Sequence, residues 1–70
     1  MASVYKIIEL VGVSKKSWED AAANAIETTG KNLKDLRIAE VTKMDMQITK
    51  GKVAAYRTRV SVSFKYKQKK

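Results

Sequence analysis

The sequence predicts an α+β fold with the element order β-α-β-β, in which three strands form an antiparallel or mixed sheet over one helix. Three observations predict it. The first segment is rich in β-branched residues, the second repeats its apolar residues with a helical period, and the last alternates apolar and polar residues. A chain of 70 residues forms one domain at most, residues 1–70, and buries only about 60% of its unfolded surface.

The first half of the chain predicts a strand followed by a helix. Residues 4–11 form the strand, and residues 12–16 connect it to the helix. Ser17 is a typical N-cap, with Asp20 in the position of an imperfect capping box. The helix runs from residue 18 to about residue 33. Its apolar stripe consists of Trp18, Ala22, Ala25, Ile26, Thr29 and Leu33.

The second half predicts a long β-hairpin, with arms at 36–48 and 53–66 and a basic tail at 67–70. The second arm alternates cleanly, which is typical of a strand buried on one face. Its apolar face carries Tyr56, Thr58, Val60, Val62, Phe64 and Tyr66, and its polar face carries Arg57, Arg59, Ser61, Ser63 and Lys65.

A two-residue turn at Lys50 and Gly51 would pair even positions of one arm with odd positions of the other. Val60 and Val62 would then share the helix side with Ala39 and Val41. Burial of the five apolar side chains on the other side is worth about 7–15 kcal/mol in gross transfer terms. We therefore expect a subunit interface there. The side chains are Leu36, Ile38, Met44, Met46 and Ile48.

Composition excludes most catalytic chemistry. The chain has no cysteine and no histidine, so it has no disulfide, no thiolate and no Ser-His or Cys-His pair, and we do not expect an enzyme. The acidic residues are scattered. Glu40 and Asp45 on the hairpin are the weak candidates for a metal site, which would need copies from several subunits to supply enough oxygens.

The charge and hydropathy of the chain limit the kinds of partner that it can bind. The net charge of +8 permits anionic partners without naming one. Base stacking on the sheet is disfavoured, because Tyr56 and Phe64 belong to the core side and the arginine side carries no aromatic residue. Neither a secretory signal nor a run long enough to span a bilayer is visible, so we expect a cytoplasmic protein.

Five segments resemble the dodecin family at matching spacings over nearly the whole chain. They are VYKIIELVG at 4–12, SWEDA at 17–21, NAI at 24–26, LRIAEV at 36–41, and YRTRV at 56–60 followed by Phe64. The resemblance implies an antiparallel β-α-β-β sheet partly wrapped around one helix, assembled as a hollow homododecamer. It also implies a protein that binds and sequesters flavins, FMN or riboflavin, without catalysing a reaction.

Two positions depart from the flavin-binding pattern. Ile38 stands where such dodecins have a tryptophan that stacks on the flavin ring, and Arg57 stands where they have a glutamine that bonds the ring's polar edge. In the expected register Ile38 lies opposite Ser63, so Arg57 is roughly 20 Å away along the strand. A joint site would therefore use different subunits, and we expect weak or absent flavin binding.

Three hypotheses remain open. The first is a dodecin-like shell that binds small flavin-type or anionic ligands. The second is a structural or ion-binding dodecamer, for a cation such as calcium, in which Arg57 pairs with Glu40 or Asp45. The third is a basic protein that associates with nucleic acid through its tail, which the lack of stacking residues disfavours.

Overall fold

The computed structural model describes residues 4–30 and 36–65. Strand β1 spans Tyr5–Ser14, helix α1 spans Trp18–Gly30, strand β2 spans Leu36–Thr49 and strand β3 spans Lys52–Lys65. The sheet order is β1-β3-β2, with both outer strands antiparallel to β3. The β-α-β-β fold with an antiparallel sheet is thus confirmed. Leu33, Tyr66 and the tail at 67–70 lie outside the described residues.

Strand β1 continues three residues beyond the predicted end and includes Gly12. The helix crosses the strand at this glycine. A Cβ placed on Gly12 would overlap the carbonyl oxygen of Ala21 and come within 3.1 Å of the Ala25 Cβ. The predicted connection therefore shortens to residues 15–17, and Gly12 allows close contact between helix and sheet.

Helix α1 starts as predicted, because the Asp20 amide donates a hydrogen bond of 3.0 Å to Ser17 Oγ. The Asp20 carboxylate accepts from Ser14 Oγ at 2.6 Å, so it ties the helix to the end of β1. The most deeply buried helical residue is Ala21, which the predicted stripe omitted.

The hydrophobic core lies between α1 and one face of the sheet. We call this side of the sheet the helix face and define it by the side chains of Ile8, Leu10, Thr58, Val60 and Val62; the opposite side is the far face. The buried centre of the core is formed by Ala25, Val60 and Val62. The partly buried side chains packed around it are Ile8, Leu10, Ala22, Ile26 and Leu36. Within the described residues, the helix is too short and too polar to cross a bilayer.

The hairpin turn is the predicted one. Thr49 pairs with Lys52, and Lys50 and Gly51 have φ angles of 54° and 76°. Two consecutive positive φ angles match the twist of the flanking strands. The register then shifts three times, between Leu36 and Ile38, between Val41 and Lys43, and between Gln47 and Ile48.

The prediction paired even positions of β2 with odd positions of β3 along the whole hairpin. Each register shift reverses this even-odd pairing, and with it the face of the sheet on which the side chains lie. The predicted orientation is therefore wrong for Leu36, Met44, Met46 and Ile48. Leu36 packs against the core, and Met44 and Met46 lie opposite Thr58 and Tyr56. Those two β3 residues point to the helix, and Ile48 follows Met46 on the same face by alternation. Ile38 lies opposite Ser63, as predicted.

The apolar side chains of β2 lie on the helix face and not on the predicted far face, yet they are still exposed in a single subunit. The exposed fractions are 59% for Met44, 43% for Met46 and 64% for Ile48. Because these side chains lie next to one another on the strand, they form a contiguous apolar surface of the kind that soluble proteins cover with a partner. The predicted interface at these residues stays a prediction, now on the helix face.

Candidate functional site

An ion pair joins the two arms of the hairpin on the far face. Arg57 Nε donates to Asp45 Oδ1 at 2.8 Å, and its second guanidinium nitrogen donates to Oδ2 at 2.9 Å. The two residues lie directly opposite each other. The Arg57 hydrogen bond holds the pKa of Asp45 below its ordinary value, and the same bond raises the pKa of Arg57. Of the two predicted acidic partners, Arg57 therefore selects Asp45.

The backbone of Asp45 is held from the other face. Trp18 Nε1 donates to the carbonyl oxygen of Asp45 at 2.9 Å. The indole also meets the ring of Tyr56 edge to face, with 5.0 Å between ring centroids and 68° between planes. Thr58 Oγ1 donates to the Trp18 carbonyl at 2.9 Å. Trp18 is thus a packing residue that connects the helix start to the hairpin, as its position on the stripe predicted.

Ile38 and Arg57, the two positions where flavin contacts were expected, do not meet in one subunit. Ile38 lies opposite Ser63 as predicted, is 68% exposed, and contributes to a pocket of about 110 Å³ with Ile26, Leu36 and Val62. Arg57 lines a different pocket, described below. The two residues thus line different pockets of the single chain, and a joint site built from several subunits stays a prediction.

The metal candidates are also separated. Glu40 lies opposite Ser61, and Glu9 of β1 lies opposite the same serine from the other side. The carboxylate of Asp45 is engaged by Arg57. Across residues 4–30 and 36–65, no three acidic side chains form a group that could hold a metal ion. A calcium ion takes six to eight oxygen ligands, so one subunit does not fit it.

The sequence did not predict a pocket on the helix face that is larger than the pockets at Ile38 and Arg57. It measures about 440 Å³ and is lined by Trp18, Glu19, Ala22, Val41, Met44 and Thr58. The prediction had placed Met44 on the opposite side of the sheet, so this group could not be assembled. The register shift responsible lies at Thr42, and no glycine or proline marks it.

Together, the fold and these surfaces define a class of protein. One helix rests on an antiparallel sheet, and pockets and exposed apolar side chains line the hairpin. Pockets next to exposed apolar side chains are typical of small binding proteins.

Comparison with known proteins identifies the family. The sequence model of the Dodecin family matches residues 4–67, which is nearly the whole chain. The chain belongs to the dodecin family.

Several relatives are similar over almost their full length. The curated calcium dodecin of Mycobacterium tuberculosis is 41% identical over 63 residues, covering 90% of this chain and 89% of the relative. A solved structure of that calcium-chelating protein, described as having a novel calcium-binding site, matches with a TM-score of 0.84 and 40% identity over 97% of each chain. A variant of the Thermus thermophilus dodecin matches with a TM-score of 0.90 and 31% identity over 97% of this chain and all of that one.

The dodecin of Streptomyces davaonensis matches at 24% identity, with a TM-score of 0.89 over 97% of this chain and all of that one. At this identity the match shows the fold alone. It agrees with the antiparallel β-α-β-β topology seen here.

Proposed function

We propose that this protein is a non-enzymatic dodecin-type shell, a homododecamer, that binds small ligands and whose affinity for flavin is weak or absent. The observation that carries the proposal is the bidentate bond from Arg57 to Asp45. Arg57 stands at the position where a flavin-binding dodecin has a glutamine. Family membership and the exposed β2 side chains support the assembly.

The polar edge of a flavin ring needs both a donor and an acceptor from the protein. A glutamine amide supplies both, whereas an arginine side chain supplies donors only. Two of those donors are already used by Asp45. A flavin would therefore have to break a charge-assisted pair in return for an incomplete set of hydrogen bonds.

Ile38 adds a second cost to flavin binding. An exposed isoleucine gives apolar contact but no ring face. The loss of aromatic stacking is worth about 0.5–1.5 kcal/mol for each ring pair, beyond the area that is buried. If two subunits contribute equivalent residues to a site, the loss doubles.

A fluorescence titration tests this proposal. Riboflavin and FMN are added to the wild type and to the double variant Ile38→Trp with Arg57→Gln. We expect little quenching with the wild type and restored quenching with the variant. The matched control combines Ile38→Trp with Arg59→Gln, which makes the same chemical change two residues along β3 and should restore less. Wild-type binding at micromolar affinity or tighter would overturn the proposal.

Cation binding is a second candidate function, and the similarity to calcium dodecin favours it. Because Asp45 is engaged by Arg57, Glu40 is the hairpin carboxylate that remains for a shared site. Such a site would combine Glu40 side chains or other oxygens from several subunits.

Calorimetry with calcium chloride, using the assembled protein, tests this candidate. We expect saturable binding that Glu40→Gln weakens and that Glu27→Gln, an equal charge change on the exposed side of α1, leaves intact. Absence of heat and of any shift in Tm with calcium would exclude the candidate.

A further inference from the structure

Two cations face each other on the far face of the sheet. Lys43 of β2 and Arg59 of β3 lie directly opposite, and both are exposed. In the described part of the chain, neither side chain makes a hydrogen bond or an ion pair. Like charges at directly opposed positions of an antiparallel pair repel and destabilise the hairpin. The pair is therefore unfavourable for the isolated fold, and an anion bound between the two side chains would relieve the repulsion.

The two cations line a small pocket together with Val11, Asp45 and Arg57. The pocket measures about 50 Å³. Both carboxylate oxygens of Asp45 accept hydrogen bonds from Arg57. The lining carries three cations and one carboxylate, so the pocket keeps an excess of positive charge although Arg59 and Lys43 also help to lower the pKa of Asp45.

We propose that Lys43 and Arg59 form an oxyanion site that takes a single phosphoryl group. The guanidinium of Arg59 offers a planar set of donors that matches phosphate oxygens, and the ammonium of Lys43 adds a point charge. Arg57 lines the same pocket, but its guanidinium group is paired with the Asp45 carboxylate and is not assigned to the anion. The proposed site adjoins Arg57, the position where a flavin contact was expected, but its two ligand-binding side chains, Lys43 and Arg59, are used neither in the flavin argument nor for calcium.

The size of the pocket and the charges around it indicate which chemical group could bind there. Small-molecule sites generally occupy about 300–1,000 Å³, so a pocket of about 50 Å³ admits one compact group and not a ring system. The next row of the far face carries Glu9 and Glu40 on either side of Ser61. Ser61 is two residues beyond Arg59 on β3, so this row lies about 7 Å from the pair of cations. Its carboxylates would repel a longer polyanion, so a terminal phosphoryl group fits best.

Calorimetry in a phosphate-free buffer of low ionic strength tests the proposal with the full chain in its native assembly. The probes are inorganic phosphate and glucose 6-phosphate. We expect saturable binding that Lys43→Glu weakens at least tenfold. The matched control is Lys52→Glu, which makes the same charge change beside the hairpin turn, and we expect it to alter binding by less than twofold.

A second readout comes from stability without ligand. Lys43→Glu turns the repelling pair into an attracting one, so its Tm should rise above that of the wild type, and added phosphate should no longer raise it. Binding of glucose 6-phosphate as tight as that of phosphate would identify the ligand as a phosphate ester, and binding of phosphate alone would identify the free ion. Equal weakening by Lys52→Glu, or no saturable binding of either probe, would overturn the proposal.

Discussion

Trp18 at the start of α1 and Asp45 of β2 are joined by a hydrogen bond, in which the indole Nε1 donates to the backbone carbonyl of Asp45 at 2.9 Å. The carboxylate of the same Asp45 accepts two hydrogen bonds from Arg57 on the far face. Residue 45 lies between two register shifts, one at Val41 and Lys43 and the other at Gln47 and Ile48. Contacts from both faces therefore hold β2 in its shifted register at this point.

Replacement of Trp18 by phenylalanine should destabilise the fold. The substitution keeps a ring beside Tyr56 but removes the donor to the Asp45 carbonyl, at a cost of about 1 kcal/mol in the free energy of unfolding. Urea unfolding followed by far-UV circular dichroism measures it, since the chain then lacks its one tryptophan. Tyr5→Phe, at an exposed aromatic residue of β1, is the control. Equal stability of the Trp18 variant and the control would contradict the role given to this bond.

Gly12→Ala should be the most damaging glycine substitution in the described chain. The added methyl would overlap the backbone carbonyl of Ala21, so helix and strand must separate at their closest point. Overpacking of this kind costs about 1–3 kcal/mol. In the control, Gly30→Ala, the new Cβ meets only the Leu36 Cδ1 at 3.7 Å, an ordinary contact. We expect a large fall in Tm for the first variant and little change for the second.

Most of the fold follows from local patterns in the sequence. The N-cap at Ser17, the turn at Lys50 and Gly51, and the alternation of β3 all lie where they were predicted. Each of these depends on a few neighbouring residues with a strong preference. The face of β2 does not, because it depends on the register of every residue between the turn and the position in question.

The shifts explain why some pairs were right and others wrong. The shift near Gln47 skips a residue of β3 and the shift near Val41 skips one of β2, so their effects cancel farther from the turn. The pairing of Ile38 with Ser63 was therefore predicted correctly. Between the two shifts, the prediction would have put Arg57 opposite Met44. The structure puts it opposite Asp45 and creates the ion pair that the sequence alone left undecided.

The Asp45–Arg57 pair should make stability depend on pH at the acidic end. The Arg57 hydrogen bond lowers the pKa of Asp45 in the folded state. The unfolded state therefore binds the proton more readily, and the contribution is present above the unfolded pKa of about 3.9 and is lost as pH falls through the folded value. Asp45→Asn should remove this part of the pH dependence.

Urea unfolding midpoints between about pH 2 and about pH 6 measure this effect. The variant should approach a flatter profile than the wild type, whereas Glu27→Gln, at an exposed carboxyl of α1, should keep the wild-type step. An unchanged profile in Asp45→Asn would show that other carboxyls dominate acid unfolding. The pair is exposed to solvent, so added salt should reduce the step.

The exposed apolar residues of β2 should hold the assembly together. Met44 is 59% exposed in one subunit, so Met44→Lys should leave the fold of the single chain intact while placing an unpaired charge in a subunit contact. Light scattering coupled to size exclusion should show a smaller particle for this variant. The control is Gln47→Lys, an exposed position of β2 on the far face, which should keep the wild-type mass. If Met44→Lys also keeps it, the contact between subunits lies elsewhere on the chain, because a buried lysine without a partner would not be tolerated at a subunit interface.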